Sequence, residues 1–168
     1  MKELRNLTDL LGHEIQVLYN AENLLLVALK RMSKKSSNLE LKAVFEQHLE
    51  ETETHIERLE HAAELLDIAP DEDGNPAMKG LIAEGEKLMH KDANPETLDA
   101  ALIAGAQKIE HYEISGYGSA AYYAEELGFN EVAALLKQTL EEEKATDTRL
   151  NNLAKSKINI RAEHPVAD

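Results

Sequence analysis

Acidic side chains stand at helical spacing where an amphipathic helix would ordinarily be apolar. Through and just before 108-KIEHYEISGYGSAAYYAEELG-128, the residues Ile103, Ala106, Glu110, Glu113, Tyr117, Ala121 and Ala124 fall at three- and four-residue steps and so share one face. Two carboxylates one turn apart interrupt that stripe. Elsewhere Glu22, Glu51, and Glu143 with Asp147 interrupt similar stripes, and His48 and His55 lie three residues before and four after Glu51 on the same side. A single such Glu is more often the solvated shoulder of its stripe. Several converging in a core would each cost on the order of several kcal/mol or take up protons unless something neutralised them. Divalent metal would do so. Bridging and terminal carboxylates plus an imidazole suit two divalent cations, and a hard, oxygen-rich shell favours iron or manganese. The candidate ligands are Glu22, Glu51, His55, Glu110, Glu113, Glu143 and Asp147. Tyr19 and Tyr117, one turn from Glu22 and Glu113, read either as core tyrosines or as hydroxyls that bond to the ligands.

Convergence depends on the elements that carry these residues. The first helical pattern runs roughly from Lys2 to Met32, with Leu7, Leu11, Ile15, Leu18, Leu25 and Leu29 on one face. Ser33 to Asn38 breaks it and offers capping side chains. The second pattern, Leu39 to Leu66, turns Val44, Phe45, Leu49, Thr52, Ile56, Leu59 and Leu66 inward and stops at a loop signal, 70-PDEDGNP-76. A short amphipathic piece, Ala77 to Met89, follows. Asn94-Pro95 opens the third long helix, which runs to a C-capping Gly128, and the fourth runs from Asn130 to about Ser156. Residues 157–168 read as a flexible tail.

Two long hairpins joined by a connection over 67–95 do not make an up-down-up-down bundle, whose loops would all be short. The expected fold is all-α: one domain, 1–156, a four-helix bundle whose long crossover contains a short fifth helix. With the first turn centred near Lys35 and Ser36, Glu22 and Glu51 lie at matching depth, counted at about 1.5 Å per residue. With the second turn at Gly128 and Phe129, Glu113 matches Glu143 and Glu110 matches Asp147. All six acids then meet in one layer at mid-bundle.

Composition agrees with packed helices. The chain has 168 residues, 43% hydrophobic, 30% charged and only 4% aromatic, without the alternating Val and Ile runs of a sheet. A formal charge of −14 repels phosphate backbones, so no nucleic-acid partner is expected. The chain has no cysteine for thiolate ligation or disulfides. The beginning, MKELRNLTDLLGHEIQ, has neither a signal-peptide pattern nor a membrane-spanning run, and a cytoplasmic protein without membrane contact is the expectation.

The same residues carry a family resemblance. The segments 46-EQHLEETETHIERLE-60, 99-DAALIAGAQKIEHYEISGYG-118, 133-AALLKQTLEEEKATDTRL-150 and 19-YNAENLLLVAL-29 resemble the bacterial YciE/YciF family of ferritin-like proteins. The resemblance spans almost the whole chain. It implies a ferritin-like bundle, a dinuclear metal site, a homodimer and a place in the stress response. The wider ferritin-like pattern has Glu on helices 1 and 3 and Glu-x-x-His on helices 2 and 4. Here Thr54 and Thr146 take the histidine positions, His55 and Asp147 come one residue later, and the third helix adds Glu110-x-x-Glu113. The leading functional expectation is a di-metal oxidoreductase or a peroxide- and iron-handling protein. The alternative is a non-catalytic stress protein whose metal is structural and which acts through protein partners. An iron-storage cage is the weakest reading.

Overall fold

A computed structural model describes residues 4–69 and 74–165. Six α-helices follow one another: α1 (Leu7–Lys35), α2 (Leu39–Leu65), α3 (Pro76–Met89), α4 (Pro95–Glu126), α5 (Asn130–Leu153) and, after a π-helical turn at Ala154–Ile158, α6 (Asn159–Glu163). No strand occurs among the described residues. The long helices α1, α2, α4 and α5 form the bundle, each antiparallel to its ring neighbours, and α3 climbs the outside of the α1–α4 face. Of the expected N-terminal start and the 70–76 loop, residues 1–3 and 70–73 lie outside the described residues.

The first four helices all start at an asparagine. Asn6, Asn38, Asn75 and Asn94 each accept a backbone N–H of the first turn, from Asp9, from Glu40 and Leu41, from Met78 and from Thr97. Proline at the first turn of α3 and of α4 costs no hydrogen bond there, because that N–H has no intrahelical partner. The α4–α5 turn is a Schellman motif: Gly128, at φ +78°, lets its own N–H reach Glu125 O and the Phe129 N–H reach Ala124 O. The end of α2 closes in the same way around Asp67, at φ 52°, although Asp lacks glycine's freedom there.

Two apolar clusters fill the bundle. One holds Leu25, Leu29, Phe45, Leu102, Ile109, Leu150 and their neighbours near the α1–α2 turn; the other holds Leu11, Leu18, Leu59, Tyr117, Ala121, Leu136 and theirs near the α4–α5 turn. Between them lies a slab of buried polar side chains from all four long helices. Where α1 meets α4, Gly116 allows a close approach: a Cβ there would stand 2.8 Å from Leu18 Cδ2.

The end of the chain corrects one expectation. Helix continues to Glu163 where a flexible tail was expected from Lys157, and the last three residues, 166–168, lie outside the described residues. The π turn explains this. One extra residue per turn resets the helical phase, so that Ile158 returns to the core at 1% exposure while Lys157 points outward to pair with Glu40.

Buried Asp99, in the first turns of α4, ties the two hairpins together. It accepts the backbone N–H of Ser37 at 2.9 Å and of Asn38 at 2.9 Å, and the hydroxyls of Ser37 at 2.6 Å and Ser36 at 3.2 Å. These bonds fix the α1–α2 turn against α4 and so set the relative height of the hairpins. Asp99→Ala should leave one buried and one partly buried amide without acceptors and cost about 3 kcal/mol, lowering the melting temperature by roughly 10 °C. Calorimetric melting checks this; an unchanged midpoint would show that the turn holds itself.

Candidate metal centre

The polar slab takes Glu22 from α1, His48, Thr52 and His55 from α2, Glu110 and Glu113 from α4, and Thr139, Glu143 and Thr146 from α5, all of them buried. Helical phase explains the choice. On α2 the buried series Leu41, Phe45, His48, Thr52, His55 and Leu59 advances by three or four residues, so the apolar stripe simply changes chemistry for three positions at mid-helix. On α5 the buried series is Leu136, Thr139, Glu143, Thr146 and Leu150, with the same change.

Two overlapping groups of ligating atoms result. In one, His48, Glu110, Glu113 and Glu143 each offer an atom, all within 4.8 Å of one another; in the other, Glu22, His55 and Glu143 do the same. Glu143 belongs to both and lies between them. His48 Nε2 is 3.2 Å from Glu110 Oε1 and 3.6 Å from Glu143 Oε2, while His55 Nδ1 is 3.0 Å from Glu143 Oε1 and 3.3 Å from Glu22 Oε1. Tyr117 donates its hydroxyl to Glu22 Oε1 at 2.5 Å.

Protein groups leave much of this layer unpaired. Both oxygens of Glu113 and of Glu143, Glu22 Oε2, Glu110 Oε2, His55 Nδ1 and both nitrogens of His48 are buried without a hydrogen bond of good geometry. So many unpaired acceptors in one core are costly unless a cation meets them. The donor set, four carboxylates and two imidazoles from four helices, fits one or more divalent ions of the harder transition series.

The charges are strained without such an ion. Burial raises the Glu113 carboxyl well above the ordinary carboxylate range, and Glu22, Glu143 and Glu110 push it the same way. Burial also raises Glu22 and Glu143, against the pull of the neighbouring histidines. For the histidines burial opposes protonation but loses to the acids: Glu110 and Glu143 raise His48 well above its usual value, and Glu143 and Glu22 bring His55 to about 10. Tyr117 is raised too, by burial and by the same acids.

Of the seven residues expected to ligate, the structure brings together Glu22, His55, Glu110, Glu113 and Glu143, and adds His48. Glu51 and Asp147 stand at the rim instead. Each is displaced by one position of helical phase, because Thr52 and Thr146 occupy the inward sites beside them. Glu51 accepts from Arg149 Nη2 at 2.9 Å, and despite partial burial His48 and Arg149 hold its carboxyl down to about 2. Asp147 accepts from Gln107 at 3.2 Å and Asn151 at 3.3 Å. The depth expected for Glu22 also shifts. It faces His55 instead of Glu51, because α1 runs on to Lys35 and the turn is Ser36–Asn38, later than assumed.

Sequence reasoning missed Glu142. Its Oε2 lies 2.9 Å from His55 Nε2, and Arg58 donates to both of its oxygens, which holds its carboxyl below the ordinary range against the effect of partial burial. Its place one residue off the inward stripe hid it. The available signal was Arg58, a cation one turn beyond His55 on α2 that needed a partner across the seam.

Comparison with known proteins gives concordant results. The family model described as "Domain of unknown function (DUF892)" matches residues 6–163. Protein YciF of Escherichia coli K12 is 42% identical over 162 residues, 96% of this chain and 98% of that protein. Its crystal structure, that of a stress protein, superposes with a TM-score of 0.89 over 93% of this chain and 99% of that one. YcfI of Rhodopseudomonas palustris follows at 39% identity and 0.86, covering 89% and 96%. A Xanthomonas campestris protein at 20% identity and 0.75, covering 93% and 95%, shares the fold.

Metal-free protein should lose stability as pH rises. The raised carboxyls of Glu22, Glu113 and Glu143 keep protons in the folded state that the unfolded chain has released above about 4.5. His55 does the same between its ordinary 6.5 and about 10. In that window the native state binds more protons, so its stability declines with pH. Glu51 acts oppositely only in acid, as pH falls below its ordinary 4.5 toward 2. Melting of chelator-treated protein should therefore fall steadily from pH 5 to pH 9. A flat or rising midpoint would show that these groups are solvated.

Proposed function

The chain belongs to the DUF892 family, and we propose that it binds two divalent cations, iron or manganese, in the layer shared by its four long helices. The carrying observation is the set of buried, hydrogen-bond-free oxygens and nitrogens on six side chains, with Glu143 common to both groups. In this reading His48, Glu110 and Glu113 would hold one ion and Glu22 and His55 the other, with Glu143 in reach of both. Glu51 and Asp147 stay at the rim.

Bound iron or manganese would supply Lewis acidity and one-electron redox capacity toward oxygen or peroxide. The chain's own residues define the surroundings of that chemistry. The apolar clusters on both sides keep bulk water from the layer, and Tyr117 orients Glu22 through its hydroxyl. YciF is a stress protein, and by that likeness the function lies in a stress response, with peroxide or iron as the species handled. No helix among the described residues is long and apolar enough to cross a membrane.

Complete burial favours a second reading, in which the metal is structural. Glu22, Glu113, His55 and Glu143 are all 0% exposed, and a cation neutralising them would stabilise the bundle whether or not it turns over substrate. An optical spectrum of the iron-loaded protein before and after peroxide separates the two readings.

Protein loaded anaerobically with Fe(II), or with Mn(II), should hold about two ions per chain. Glu143→Ala should bring this below one, because both groups lose a ligand. Exposed Glu141→Ala should leave it unchanged, since Glu141 pairs with Lys144 on the surface. Elemental analysis after desalting measures the ratio, and equal loading of both variants would sink the shared site.

A further inference from the structure

The outer seam between α2 and α5 carries the same arrangement of ion pairs twice, about two helical turns apart. On α2, His48 and His55 are seven residues apart, as are Glu51 and Arg58; on antiparallel α5, so are Glu142 and Arg149. Seven residues are about two helical turns, which returns each pair to the same face. The ion pairs cross in mirrored order. Arg149 Nη2 donates to Glu51 Oε2 at 2.9 Å, and Arg58 Nη2 donates to Glu142 Oε1 at 3.0 Å. Each arginine also donates to a buried threonine of α5, Arg149 to Thr146 at 2.9 Å and Arg58 to Thr139 at 3.2 Å. These anchors keep the carboxylates at the rim.

From there each carboxylate faces the outer nitrogen of one histidine. Glu142 Oε2 is hydrogen-bonded to His55 Nε2 at 2.9 Å, whereas Glu51 Oε2 stands 3.5 Å from His48 Nδ1, a longer ionic contact without hydrogen-bond geometry. The nitrogens turned toward the inner acids are the opposite ones, His55 Nδ1 and His48 Nε2. A neutral imidazole has one N–H and one lone pair, and the partner of the N–H decides which nitrogen keeps the lone pair. We propose that Glu51 and Glu142, anchored by Arg149 and Arg58, are positioning residues that fix opposite tautomers on the two histidines, so that His48 presents Nε2 to metal and His55 presents Nδ1. This rests on the metal reading above. It gives the two rim acids a role that neither ligation nor surface solvation explains, and it makes the two metal positions chemically distinct although the seam carries the same ion pairs twice.

Zinc(II), which is diamagnetic, serves as the probe. In wild-type protein with isotope-labelled histidine and bound zinc, imidazole nitrogen NMR should show the proton on Nδ1 of His48 and on Nε2 of His55. Glu142→Ala should weaken zinc binding by about 10- to 100-fold, and Glu142→Gln, whose carbonyl still accepts the N–H, should recover most of the loss. Glu51→Ala should have the smaller effect, in line with its longer contact. Both rim acids are partly exposed, so these variants are expected to fold, and the wild-type spectrum does not depend on them. Zinc bound with the proton on the same-named nitrogen of both histidines, or a Glu142→Ala affinity equal to wild type, would overturn the positioning role and leave the metal site standing. A wild-type protein that takes up no zinc, iron or manganese would overturn the metal site, and the positioning role with it.

Discussion

Four buried carboxylates against two imidazoles is the charge imbalance around which this bundle is organised. With both histidines protonated the layer of Glu22, Glu110, Glu113, Glu143, His48 and His55 is still negative, and with both neutral it is more so. A core cannot hold that charge without protons, cations or collapse of the layer. The raised carboxyls and raised histidines are the proton solution, and they show the acids competing for every positive charge within reach. A cation answers the same demand at the same atoms. Proton and metal are therefore alternatives here, and pH and metal supply act on one variable.

The rest of the fold keeps that layer at one height. Two apolar clusters clamp it from either side, so a shift of one hairpin along the other would move acids into hydrocarbon. Asp99 opposes such a shift by gripping the α1–α2 turn from α4, about three helical turns before Glu110 and at the end of the bundle. Schellman closures at Asp67 and Gly128 stop α2 and α4 sharply, which defines the lengths from which the heights are counted.

Much of this was legible in the sequence because it is periodic. Stripes of Leu and Ala at three- and four-residue steps, Asn and Pro at helix starts and Gly128 at a helix end mark the long helices, and the long link between hairpins marks the crossover. Glu22, Glu110, Glu113 and Glu143 were visible as acids lying on those stripes. Periodicity resolves a helix face only to about one position, or 100°. Glu51 and Thr52, or Asp147 and Thr146, are therefore hard to tell apart until neighbouring helices decide which points inward. Glu142 and Asp99 act on residues far away in sequence, and no local pattern announces such partners. The helical end past Ser156 was hidden because its register depends on a π turn, which breaks the period used to find helices.

The close approach at Gly116 limits how this sequence can vary. Leu18, which a Cβ at position 116 would strike, lies one turn before Glu22, while Glu113 and Tyr117 flank Gly116 on α4. The width of the seam where α1 and α4 carry three groups of the polar layer is thus set by a single hydrogen atom in place of a side chain. Position 116 acts as a spacing gauge. Even alanine, the smallest replacement, would press on Leu18 Cδ2, so that Leu18 would have to shift within its apolar cluster, one turn from Glu22 and its bond to Tyr117. Drift at this position would call for a smaller residue at 18 in the same lineage, so 18 and 116 should change together or not at all.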